Sequence, residues 1–178
     1  ASALRNQLSD TFLIDVEMQK RLDIQILKSD TLPIFEIHQA VKAFLLSDQK
    51  LVSKHLKVYS SYPSSSIAKL STKDQVFCSG YNRFLQKLIE TPFENEKTSV
   101  DHQTIFHLGE SHCLSYAHRL IKIRDTDYTV VPRITFGAKA YHFSSEKENA
   151  VKAITKANFD SLPEDSKIFL SFGEIDCR

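Results

Sequence analysis

The sequence predicts an α/β protein in two parts: a helical region over residues 1–95 and a parallel α/β domain over residues 96–178. Three observations predict this. In the first ninety or so positions, apolar residues recur at spacings of three and four, the period of a helix with one buried face. The stretch Thr91–Ser99 (TPFENEKTS) is polar and carries a proline, as a linker does. Beyond it the pattern changes to short apolar runs separated by turns and helical spacing, the order β-α-β-α-β, which implies a parallel sheet joined by crossovers.

The helical part reads as follows. Phe12, Leu13, Val16, Met18, Leu22, Ile26 and Leu27 include a first stripe, with Asp10-Thr11 as its candidate cap. Thr31-Leu32-Pro33 opens the next helix, because proline suits a first turn, and Ile34, Ile37, Val41, Phe44 and Leu45 form its apolar face. Ser47-Asp48 supplies a turn and a cap for a third helix bearing Leu51, Val52, Leu56 and Tyr59, which Pro63 ends. A further helix runs from about Asp74 to Glu90. The pair 35–47 and 48–62 with its closing Pro63 resembles a tetratricopeptide-type hairpin. No second copy follows at a period of ~34 residues, and a free-standing solenoid needs about three. The sequence therefore favours a helical bundle packed on its neighbour over a repeat array.

In the α/β part, Thr104–Leu108 reads as a buried strand, stopped at Gly109-Glu110-Ser111-His112. Leu114, Ala117, His118 and Ile121 then fall at helical spacing. Leu120–Ile123 and Tyr128–Ile134 flank Arg124–Asp127 as either a hairpin or a helix end followed by a strand. Pro132 cannot donate to a ladder, so pairing is expected to weaken there. Asn149–Asp160 is a helix and Ile168–Phe172 the third strand of the parallel set.

Composition bounds the function. At 42% apolar and 25% charged residues the chain is globular in type. With 23 basic and 22 acidic residues there is no electrostatic case for nucleic acid or membrane as partner. No apolar run reaches the roughly 18 residues that span a bilayer, and ASALRNQLSD lacks the apolar core of a signal peptide. Cys78, Cys113 and Cys177 are widely spaced and odd in number, which implies reduced thiols and a cytoplasmic setting. They have no zinc spacing, and nothing calls for a metal or an organic cofactor.

Three strand ends carry, in order, Gly109-Glu110-Ser111, Gly137, and Gly173-Glu174-Ile175-Asp176. That series resembles the SGNH (GDSL-like) hydrolase family over about the last 75 residues. The resemblance implies a partial flavodoxin-like, three-layer α/β/α domain, with Ser111 as nucleophile, its backbone N–H and that of Gly137 as oxyanion donors, and Asp176 as a structural hydrogen-bonder. It implies a serine hydrolase or acyl transferase acting on a carboxyl ester, for example an O-acetylated carbohydrate. Two departures stand out. Ile175 occupies the position of the family's asparagine donor, and Arg178 is the nearest residue that could substitute for it. The family's Asp-x-x-His, downstream of the third block, has no match, so the expectation is a domain truncated after its first half. His142, on the loop after Gly137, is the outside candidate to face Ser111, ahead of His112 and His118. Glu110 reads as a helix N-terminal charge and Cys113 as packing. The alternative function is a non-catalytic module that binds a protein partner through the helical region.

Overall fold

A computed structural model describes residues 32–93 and 103–173. The apolar stripe at residues 12–27, and Ile175, Asp176 and Arg178, lie outside the described residues. The chain divides into two compact units, with the break between Phe93 and Glu94.

The described part of the helical unit is built from α1 (Leu32–Leu45), α2 (Gln49–Ser61), a single turn α3 (Ser64–Ile67) and α4 (Thr72–Leu88). The caps are local, and that at Asp48 was legible. Asp48 accepts the N–H of Leu51 at 2.9 Å, and Ser71 that of Asp74 at 3.2 Å, each satisfying a donor that the first turn leaves free. Pro63 stands one position before α3, where a missing N–H costs nothing. Ile37, Phe44, Val52, Leu56 and Leu85 are buried between the helices. Gln49 ties the start of α2 to the end of α4. Its Nε2 donates to the carbonyl of Ile89 at 2.7 Å and its Oε1 accepts from Phe93 N–H at 3.3 Å.

The α/β unit contains β1 (Gln103–Gly109), a short 3-10 segment (Ser111–Tyr116), β2 (Leu120–Ile123), β3 (Thr126–Ile134), α5 (Ala140–Ser144), α6 (Ala150–Asp160) and β4 (Lys167–Ser171). The strands form one sheet in the order β2-β3-β1-β4. β1 pairs in parallel with β3 and with β4, while β2 pairs antiparallel with β3. The mainly parallel α/β layer expected from the sequence is present, and the open alternative at Arg124–Asp127 resolves as a hairpin.

Two expectations are overturned. The helix after Ser111 is a six-residue 3-10 segment, and Ile121 belongs to β2, opposite Tyr128. His118, at φ 59°, turns the chain out of its helical path, and the ladder with β3 outweighs helical spacing. Pairing also does not weaken at Pro132. It continues to Ile134, opposite Gly109. Val130 donates to Arg119 and accepts from His118, so its backbone groups point towards the β2 side. By the strand's period of two, Pro132 points the same way, past the end of β2, where no donor is required.

The two faces of the sheet are covered differently. Ile105, His107 and Gly109 share one face with Tyr128, Val130 and Phe169. Ile105, Tyr128 and Val130 form a small core there, with Ile121 against it. The 3-10 segment lies over the same face, its Tyr116 ring 6.1 Å from that of His107. α6 lies over the opposite face, where Asn158 Nδ2 donates to the carbonyl of Ile134 at 3.0 Å and the Thr135 and Thr155 hydroxyls meet at 3.0 Å. On that face Leu108, Phe143, Phe159, Leu170 and Phe172 border an open apolar cleft.

Candidate functional site

The parallel strands following β1 lie to either side of it, β3 on one and β4 on the other. In open α/β sheets the crevice beyond the carboxyl ends of the strands, where the order reverses, is where ligands bind. The residues at that place are Gly109-Glu110-Ser111 after β1, the turn after β3, and Ser171 to Gly173 after β4.

These loops are stitched together by the backbone. Gly109 carbonyl accepts the N–H of Thr135 at 2.8 Å, and Ser171 carbonyl accepts that of Glu110 at 3.3 Å. Gly109 has to be glycine. A Cβ there would stand 2.7 Å from the Ser171 carbonyl oxygen and 3.1 Å from Cys113 Cβ, and would also overlap the Ser171 hydroxyl.

Glu110 is the centre of the arrangement. It is only 1% exposed, yet it carries a carboxylate. Ser111 Oγ donates to its Oε2 at 2.7 Å, and His112 Nδ1 contacts its Oε1. A buried carboxylate stays only where donors compensate its lost hydration, and the two residues that follow it in sequence do so. This corrects the reading of Glu110 as a helix N-terminal charge. The same geometry removes the support expected from an α-helix dipole. Ser111 opens a short 3-10 segment, so an oxyanion here would rely on individual N–H groups.

Gly137 occupies the third position of a turn closed by Ala138 N–H to Thr135 carbonyl at 3.3 Å. Its φ of 67° is left-handed, which favours glycine, and no atom lies within 4 Å of the space a Cβ would fill. Through the Thr135–Gly109 bond this turn is held at the carboxyl end of β1. His142 sits in α5, where its Nδ1 accepts the N–H of Lys139 at 3.0 Å and its carbonyl accepts from Asn149 Nδ2 at 3.0 Å. With Nδ1 occupied as an acceptor, the neutral ring carries its hydrogen on Nε2 and presents a donor. That suits contact with a substrate oxygen rather than removal of the Ser111 proton.

Sequence reasoning passed over His107 and Ser171. His107 is 2% exposed, and its Nε2 is hydrogen-bonded to Ser171 Oγ at 2.7 Å. The ring meets Phe169 edge-on at 4.7 Å. Nδ1 is buried and has no hydrogen-bond partner among the described residues, a state that costs about 1–3 kcal/mol. Burial pulls the imidazole below its ordinary titration range, so it is neutral near pH 7. No sequence signal marked this pair, since its members are 64 positions apart.

Cys113 is fully buried beside this site, and burial followed by the Glu110 charge pushes its thiol up, so it is packing and not a nucleophile. Cys78 is buried in the helical unit with its thiol pushed up to about 12 by burial. Among the described residues no group of His, Cys, Asp and Glu is arranged to hold a metal ion, and no helix is long and apolar enough to cross a membrane. No family model, no curated protein and no solved structure matches the chain.

Proposed function

We propose that the α/β unit is an SGNH-like acyl-transfer site, a serine hydrolase or acyl transferase acting on a carboxyl ester such as an O-acetylated carbohydrate. The observation that carries this reading is the hydrogen bond from Ser111 Oγ to the buried carboxylate of Glu110, at the carboxyl end of the central strand. The order β3-β1-β4 supports it, being that of the first three strands of a flavodoxin-like sheet.

In this reading Ser111 Oγ attacks the acyl carbon and its proton passes to Glu110 Oε2. The C–O bond to the alcohol breaks, and the departing alkoxide takes that proton. Water, for a hydrolase, or a second alcohol, for a transferase, then attacks the acyl-serine. It gives its proton to Glu110 as the bond to Ser111 Oγ breaks, and Oγ recovers the proton. The Ser111 and Gly137 N–H groups serve the oxyanion, and the His142 Nε2–H a substrate oxygen. Asp176 and Arg178 enter from the sequence alone, Asp176 as a hydrogen-bonder of the Ser111 turn and Arg178 as the donor in place of Ile175.

The test is labelling by a fluorophosphonate probe of the protein expressed from its native gene. Mass spectrometry should place the adduct on Ser111, and Ser111→Ala should abolish it. Glu110→Gln keeps the shape but removes the acceptor charge, and should slow labelling about a hundredfold or more. An adduct that persists in Ser111→Ala would overturn the reading, as would no adduct at all.

A further inference from the structure

We infer that His107, acting through Ser171, is a positioning residue for the Glu110–Ser111 pair. This rests on the acyl-transfer reading for its purpose, though not for its geometry.

Ser171 is the last residue of β4, and its hydroxyl and its carbonyl are both committed to β1 and the turn after it. Its hydroxyl is hydrogen-bonded to His107 Nε2 at 2.7 Å. Its carbonyl accepts the Glu110 N–H at 3.3 Å. Gly109 leaves open the space the Ser171 side chain approaches. The backbone that carries Glu110 is therefore held from two sides, by Thr135 at the Gly109 carbonyl and by Ser171 at the Glu110 N–H. Glu110 in turn holds the Ser111 hydroxyl at 2.7 Å. The chain of contacts runs from a ring inside the sheet to the reactive oxygen.

The choice of residue at position 107 points the same way. It faces Phe169 across the β1–β4 pair and is buried. Leucine or isoleucine would fill such a place without stranding a polar atom, whereas the histidine leaves Nδ1 with no partner among the described residues. A core position that accepts that loss keeps what only the Nε2 contact provides, a fixed rotamer for Ser171. The contact at Oγ anchors Ser171 from its side-chain end, and the carbonyl of the same residue sets the height of Glu110 above β1.

Two readouts separate this role from mere packing and from the reaction itself. The first is hydrogen exchange at the Glu110 amide in the full chain. His107→Leu and Ser171→Ala should each speed that exchange about tenfold or more, because local opening of that bond becomes easier. His107→Gln, whose terminal amide can reach Ser171, should restore slow exchange. The second is the rate of Ser111 labelling by the fluorophosphonate probe. It should fall about tenfold or more in His107→Leu and in Ser171→Ala, and recover in His107→Gln, since a small displacement of a reacting group is costly. Ser171→Ala leaves the core intact, so it decides the matter if His107→Leu fails to fold. Unchanged exchange in Ser171→Ala overturns the inference. Faster exchange with no labelling in the native protein upholds the positioning of Glu110 and overturns the acyl-transfer reading instead.

Discussion

At the scale of single residues, Gly109, His107 and Glu110 carry the most information. Gly109 is defined by what its neighbours allow. Gly109→Ala forces a Cβ against the Ser171 carbonyl and should destabilise the α/β unit by about 1–3 kcal/mol, read as a lower urea midpoint. His107 makes stability depend on pH with a definite sign. Its folded-state titration lies below the ordinary histidine value because burial disfavours the cation. Above about pH 6.5 the ring is neutral in both folded and unfolded chains and contributes no slope. As pH falls below that, the unfolded chain binds a proton that the folded one refuses, so stability declines until the folded-state value is passed. Urea midpoints between pH 7.5 and 5 should therefore fall less steeply in His107→Gln than in the native chain. Glu110 shows where sequence reading stops. An acidic residue between glycine and serine reads as exposed, because charges are seldom buried unless paired. Here both compensating donors, Ser111 and His112, are the two residues that follow it. An acid followed by two side-chain donors at a strand end was the available signal.

At the scale of elements, what is set locally was legible and what is set by distant pairing was not. The cap at Asp48, the helix starts at Pro33 and Asn149 and the strand signals at 104–108 and 168–172 depend on neighbours within four positions. Asn149 illustrates the economy of such signals, since its Oδ1 caps α6 at the Lys152 N–H and its Nδ2 reaches the His142 carbonyl. Asn149→Ala should cost about 1 kcal/mol, measured by thermal unfolding, with the loss appearing in α6 and α5 together. The segment after Ser111 failed as a helix because β2 gains a ladder with β3, a contact that no window of helical periodicity contains. Pro132 misled for a related reason. Its missing donor matters only if a strand lies on that side, and β2 has already ended.

At the scale of the whole molecule, the three strand ends anticipated from Gly109, Gly137 and Gly173 do lie at one end of one sheet, by way of the Thr135–Gly109 and Glu110–Ser171 bonds. Their order in the sheet, with β1 between its successors, was not written in any local pattern. Among the described residues β4 is an edge strand, and its Phe169 and Leu170 are 51% and 63% exposed. Exposed apolar edges invite pairing with other chains. Leu170→Lys should leave the thermal midpoint nearly unchanged and lower self-association in light scattering. The alternation along β1 has a wider consequence. His107 and Gly109 belong to the layer under the 3-10 segment, whereas Leu108 belongs to the layer under α6. Removing Phe106 alone would shift the residues after it by half the strand's period. An imidazole would then be driven towards the apolar cleft and a leucine against Ser171. The strand is a reading frame shared by two layers, and a one-residue deletion there would damage both at once, which no single substitution in either layer can do.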